Sequence, residues 1–280
     1  MSEVKVEKIA VCLLIAVTLP LVLVWWFMSE AVSSNILVRI VWTAAPFLLV
    51  IGLQYQKLRS SAETQRQPKE FVIKPGQTTI EVEFHSLREF DLSKIPDIHR
   101  FTRINLSINE IKNIDLTPLA GCVNLTELML HSNRIEEIDL SPLETCVNLE
   151  YLDLAANNLH SLDLRPITSC VKMVAINLGG NKTGQIDLKP LEFMKDLEIL
   201  TIDDMGLKEV DLSPLMNCPK LQFLKLNDNK IESLDITPLI DCAHLTDFEI
   251  DGIDLTTTLI RELEDWPEGV RKHKRRFRKI

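Results

Sequence analysis

Seven aspartates, Asp91, Asp115, Asp139, Asp163, Asp187, Asp211 and Asp235, recur every 24 residues. Five cysteines, Cys122, Cys146, Cys170, Cys218 and Cys242, keep the same period, with Met194 in the one gap. Each series suggests a chemistry. Carboxylates stacked about 5 Å apart could hold Ca2+, and serial thiols could form a disulfide framework. Both readings yield to simpler ones. One acidic position per repeat falls short of the roughly six oxygens that Ca2+ needs, so each Asp is expected to accept backbone N–H groups in an Asx-type turn. Equivalent side chains of neighbouring repeats point the same way, and a thiol that alternates with Met is a small core hydrophobe. Unpaired thiols fit a reducing compartment. No phosphate-binding loop, G-x-S-x-G or Cys/His cluster is present, and the six histidines are scattered. No catalytic activity, cofactor or metal is therefore expected.

The elements behind these residues follow from the same period. Within each unit runs L-x-x-L-x-L-x-x-N-x-I/L, clearest at Leu125, Leu128, Leu130, Asn133 and Ile135 and again at Leu149, Leu152, Leu154, Asn157 and Leu159. The alternating L-x-L predicts a short strand, and a single unit cannot cover its own apolar face, so units must stack. Asn recurs at 109, 133, 157, 181 and 229, where its amide can satisfy backbone groups left bare as the strand turns. Pro118, Pro142, Pro166, Pro190, Pro214 and Pro238 suit the start of a short helix, with the preceding Ser or Thr as its cap.

At these residues the sequence resembles the leucine-rich-repeat superfamily over residues 78–256. The Asp-Leu-Ser/Thr-Pro-Leu variant before a Cys looks like repeats found in archaeal proteins. The resemblance implies an α/β solenoid with a parallel sheet on the concave face, short 3-10 or α turns on the convex face, and a protein bound on the concave side. Residues 79–87 align as a degenerate first repeat, with Ile80 and Val82 in the core and His85 in place of Asn. At the far end a capping helix over 257–270 is expected, with Leu259, Ile260, Leu263 and Trp266 on one face, followed by a basic tail over 271–280.

Ahead of the repeats lie two apolar runs, residues 9–28 without a charge and residues 36–53 interrupted only by Arg39. Each has the length of a membrane span, which predicts a hairpin of two transmembrane helices within 1–55 and a linker over 56–77. Lys5 and Lys8 precede the first run, Lys57, Arg59, Arg66 and Lys69 follow the second, and the loop has no Lys or Arg. Both ends are thus expected in the cytoplasm.

The chain has 31 basic and 40 acidic residues. Its first 70 residues hold seven and five, and its last ten hold seven and none, so the body carries 17 bases against 35 acids. Such a body repels nucleic acid. The tail residues Arg271, Lys272, Lys274, Arg275, Arg276, Arg278 and Lys279 are expected to meet anionic lipid, with RNA or the ribosome as the alternative target. The concave face is expected to bind a protein, with a basic surface favoured, through Tyr151, Asp153, Ile199, Asp203, Phe223, Lys225, Asp247 and Glu249. No small-molecule substrate is expected. The resulting reading is a membrane-anchored interaction scaffold; the alternative is a membrane-tethered nucleic-acid or ribosome binder acting through the tail.

Overall fold

A computed structural model describes residues 73–83, 86–257 and 265–279. The expected hairpin and linker, and His85, lie outside the described residues, apart from the linker's end. Among the described residues no helix is long and apolar enough to cross a membrane.

Eight of the eleven described strands appear where the apolar alternation puts them, and three form a second, unexpected sheet. In chain order they are β1 (Thr79–Glu81), β2 (Arg103–Asn105), β3 (Glu127–Met129), β4 (Tyr151–Asp153), β5 (Ala175–Asn177), β6 (Ile199–Thr201), β7 (Phe223–Lys225), β8 (Ser233–Asp235), β9 (Asp247–Glu249), β10 (Asp254–Thr257) and β11 (Phe277–Lys279). Eight of them form one parallel sheet in the order β1-β2-β3-β4-β5-β6-β7-β9. Every neighbouring pair is offset by 24 residues, as in Leu128 against Leu152 and Leu152 against Ile176. The central residue of each strand is buried and its two flankers look outward, apart from the buried Asn105. Isolated three-residue strands are unstable, so the ladder and the shared core hold them. The core is one continuous row of Leu and Ile with the five thiols inside it.

The convex side carries 3-10 turns, for example Ser141–Thr145, Arg165–Ser169 and Ser213–Asn217, each with Pro in its first turn. Their caps differ from expectation. The Ser or Thr before Pro is already the first residue of the turn, and the residue ahead of it makes no side-chain cap bond. The cap is the periodic Asp. In all seven repeats its Oδ1 accepts the N–H two residues on, from Ser93, Thr117, Ser141, Arg165, Lys189, Ser213 and Thr237 at 2.8–3.0 Å. The aspartates are turn residues, as their single recurrence implied.

The Asn series closes the other corner. Asn157 Nδ2 donates to Leu130 O, Leu154 O and Ala155 O at 3.0–3.2 Å, and its Oδ1 accepts Ile135 N–H at 3.0 Å. The residue before each Asn is left-handed: Ile108, Ser132, Ala156, Gly180 and Asp228 all have φ between +51° and +71°. The turn needs this conformation, and at Ile108 a β-branched side chain is forced into it.

The C-terminal end departs from expectation. Thr256 and Thr257 belong to β10 rather than to a helix, residues 258–264 lie outside the described ones, and the described helix is α1 (Glu268–Arg271). Trp266 and Val270 are buried. α1 covers the edge strand β9, with Gly269 N–H donating to Leu245 O at 2.9 Å. A Cβ at Gly269 would lie 3.0 Å from backbone atoms of Thr246 and Phe248, so a side chain there would have to push the two backbones apart. Beyond it the chain makes a further short coil, and β11 pairs with β10, which pairs with β8. What reads as a loose basic tail is the solenoid's cover, because the last coil leaves carbonyls that need donors. Arg276 donates to Ile250 O, Asp251 O and Ile253 O, Lys272 to Thr246 O, and His273 Nε2 lies 2.8 Å from Phe248 O.

A concave face with an apolar centre and acidic flanks

The outward residues of β2 to β7 and of β9 form two rows on the concave side. A third row, from Ser107 to Asp251, follows the strands. Tyr151 and Ile199 are 37% and 40% exposed, high values for large hydrophobic side chains on a sheet. Phe223 is only half-buried, and the sequence had placed it on equal terms. Between Tyr151 and Ile199 on the first row sits Ala175, and Ala155 and Gly179 lie in the third row. These small residues leave the centre low. A Cβ at Gly179 would overlap the Asp203 carboxylate, which would have to turn away.

Polar residues flank this centre in fixed geometry. Asp153 Oδ1 accepts Ala155 N–H at 3.0 Å. Lys225 Nζ lies 3.0 Å from Asp203 Oδ2, with side chains 33% and 19% exposed, and the hydrogen bond to Asp203 raises the lysine's pKa. Arg103 is held between Glu81 at 2.8 Å and Glu127 at 2.7 Å. Asp247 sits 3.3 Å from Lys272 Nζ, and hydrogen bonds from Thr246 and Lys272 hold its carboxyl below the ordinary range. Glu249 is exposed. The two cations of the strands, Arg103 and Lys225, are therefore engaged, while six carboxylates line the same three rows: Glu127, Asp153, Asp203, Asp247, Glu249 and Asp251. The part played by Lys272 was hidden in the sequence, because it reaches Asp247 from 25 residues away.

The residues expected to meet lipid do not act alike. Lys272 and Arg276 are turned onto the solenoid, and burial lowers the pKa of Arg276. Arg271, Lys274 and Arg275 remain exposed. Elsewhere the thiols are sealed. Burial pushes Cys170 up to about 11 and Cys146, Cys218 and Cys242 up to about 12. No group of three or more His, Cys, Asp or Glu among the described residues is gathered to hold a metal ion.

The family signature described as Leucine rich repeat matches residues 99–159 and 123–182. Among solved structures, a TDR receptor is similar at TM-score 0.60 and 16% identity, over 69% of this chain and 33% of that one. A leucine-rich-repeat protein from Leptospira interrogans is similar at TM-score 0.52 and 22% identity, over 65% and 43%. An internalin from Listeria monocytogenes is 28% identical over 57% of this chain and 50% of its own, at TM-score 0.44. No curated protein matches. The chain spans half or less of each of these structures. The described solenoid is a leucine-rich-repeat fold, an architecture suited to protein–protein interaction, and the archaeal type of repeat finds no support in these comparisons.

Proposed function

We propose that this chain is a scaffold that holds a protein partner on its concave face and is tethered to a membrane by its N-terminal apolar segments. The observation that carries the reading is the pair of exposed apolar residues Tyr151 and Ile199 around a floor of Ala155, Ala175 and Gly179. An apolar anchor point ringed by polar groups is how interface hot spots are built. The six carboxylates against three engaged cations, Arg103, Lys225 and Lys272, favour a partner with a basic surface. The Lys/Arg distribution favours a cytoplasmic repeat domain. The alternative, a nucleic-acid binder acting through the tail, loses support because Lys272 and Arg276 are occupied by the solenoid's own carbonyls.

The test is affinity capture from the native membrane fraction with wild type and Ile199→Asp. The side chain at 199 points outward, so the substitution leaves the core alone. A partner that binds here is retained by wild type and lost by the variant; a partner set unchanged by Ile199→Asp refutes the concave site. Tethering is tested separately by protease treatment of sealed vesicles, where a cytoplasmic repeat domain stays accessible from the cytoplasmic side.

A further inference from the structure

Two motif positions tie most coils to the one before through side chains; the last repeat, with Ile253 at the Asn position, keeps only the thiol tie. The Asn amide reaches back, as Asn133 does to Leu106 O and Ile111 N–H, and Asn181 to Leu154 O and Leu159 N–H. The thiol does the same on the convex side. Cys146, Cys170, Cys218 and Cys242 donate to Leu119 O, Leu143 O, Leu191 O and Leu215 O at 3.3–3.6 Å.

The coil over residues 186–209 has neither tie. Met194 stands at its Cys position and Met205 at its Asn position, both fully buried. The facing coil, 162–185, departs at the same place. Thr183 replaces the buried Leu or Ile found at 111, 135, 159, 207 and 231, and its hydroxyl is buried without a hydrogen-bond partner. Three departures from the motif thus meet at one interface. What crosses it is the β5–β6 ladder, backbone bonds such as Gly180 N–H to Asp203 O, and one side-chain bond, from the Thr201 hydroxyl to Asn177 Oδ1. Strand-side bonds therefore persist, and Gly184 N–H donates to Met205 O at 3.0 Å, while no side-chain hydrogen bond ties the convex side or the Asn corner, where flexible methionines stand instead.

We propose that the interface between residues 162–185 and 186–209 is a hinge, at which the two ends of the solenoid flex about the β5–β6 ladder. The stability of a solenoid is a sum of coil and interface contributions, so an interface stripped of its polar ties uncouples the coils on either side. The hinge line crosses the concave centre, with Tyr151 and Ala175 on one side and Ile199 and Phe223 on the other. Flexing changes the spacing of that face, a consequence that rests on the concave binding reading, whereas the hinge does not.

Amide hydrogen exchange on the full chain tests it. In wild type, the slowest amides of β2–β5 and of β6–β9 should fall into two protection classes at least about tenfold apart, the loss expected from two or three missing ties. In the variant Thr183→Leu with Met194→Cys and Met205→Asn, which restores the motif, the two classes should merge. Equal protection on both sides in wild type overturns the hinge, whether or not the variant folds. Two classes that persist in a folded variant overturn it as well, since the missing ties would then not be the cause.

Discussion

Replacing Asn157 by Ala should destabilise the solenoid by about 2–4 kcal/mol, less than its four hydrogen bonds suggest. The reason is sharing. Leu130 O also accepts from Asn133 Nδ2, and Leu154 O also accepts from Asn181 Nδ2. Ala155 O also accepts Ser132 N–H. Removing Asn157 thus leaves each of these carbonyls one donor, and the group orphaned is Ile135 N–H. One buried unsatisfied donor costs about 1–3 kcal/mol, and the small cavity adds about another. The same geometry predicts non-additivity. In the double variant Asn133→Ala/Asn157→Ala, Leu130 O loses both side-chain donors. Its cost should exceed the sum of the single costs by about 1–2 kcal/mol, a coupling expected only of groups that share a partner. Urea unfolding followed by circular dichroism measures all three variants, with Asn158→Ala as a control; Asn158 accepts one long bond from Lys182, at 3.4 Å. A single cost below about 1 kcal/mol, or strict additivity, would refute the shared-ladder account.

Other consequences are as direct. Cys122, Cys146, Cys170, Cys218 and Cys242 should resist alkylation at pH 8 until the chain unfolds, because burial raises their pKa values and hides the sulfurs; mass spectrometry of labelled peptides reads this out, and native labelling of Cys170 would contradict it. Asp91, Asp115, Asp139 and Asp163 are held below the ordinary 3.8 by hydrogen bonds, chiefly from the side chains at Ser93, Thr117, Ser141 and Arg165. Carboxyls with depressed folded values stabilise fully above the unfolded value and lose that contribution as pH falls through the folded one. The urea midpoint should therefore drop below about pH 4, and Asp139→Asn should drop less between pH 7 and pH 3. Gly269→Ala should cost about 1–3 kcal/mol by pushing α1 off β9, seen as faster exchange of the β9 amides; unchanged exchange would mean the close approach is dispensable. Ile108→Gly should stabilise by roughly 0.5–1 kcal/mol if left-handed strain outweighs lost burial, a gain that the same urea titration resolves.

Most of the fold was legible because it is periodic. A 24-residue repeat fixes strand register, core and corner together, and the aspartates and cysteines could be recognised as scaffold since each recurs once per coil. The cap over the last coil was not legible. Leu259, Ile260, Leu263 and Trp266 have helical spacing, and the charge run after them has the composition of a solvated tail. Neither pattern reveals that the last coil's carbonyls need donors, or that Lys272, His273 and Arg276 supply them. The aspartates were read correctly as Asx-turn acceptors, but the cap was assigned to Ser and Thr, as both types accept N–H bonds and only the backbone path chooses between them. On the concave face, alternation identified the outward residues, but exposure separates Tyr151 and Ile199 from the half-buried Phe223.

The unbroken 24-residue period also bears on heredity. A gene duplication that copies one coil's worth of codons, taken from any point in the frame, adds a turn whose leucines fall into the existing core. An insertion of any other length throws every later leucine out of step. The reading face of this chain can thus lengthen or shorten by whole coils between generations while its interior registers no change. Copying the 24 residues 186–209 would also copy Met194 and Met205, and with them a second place to bend.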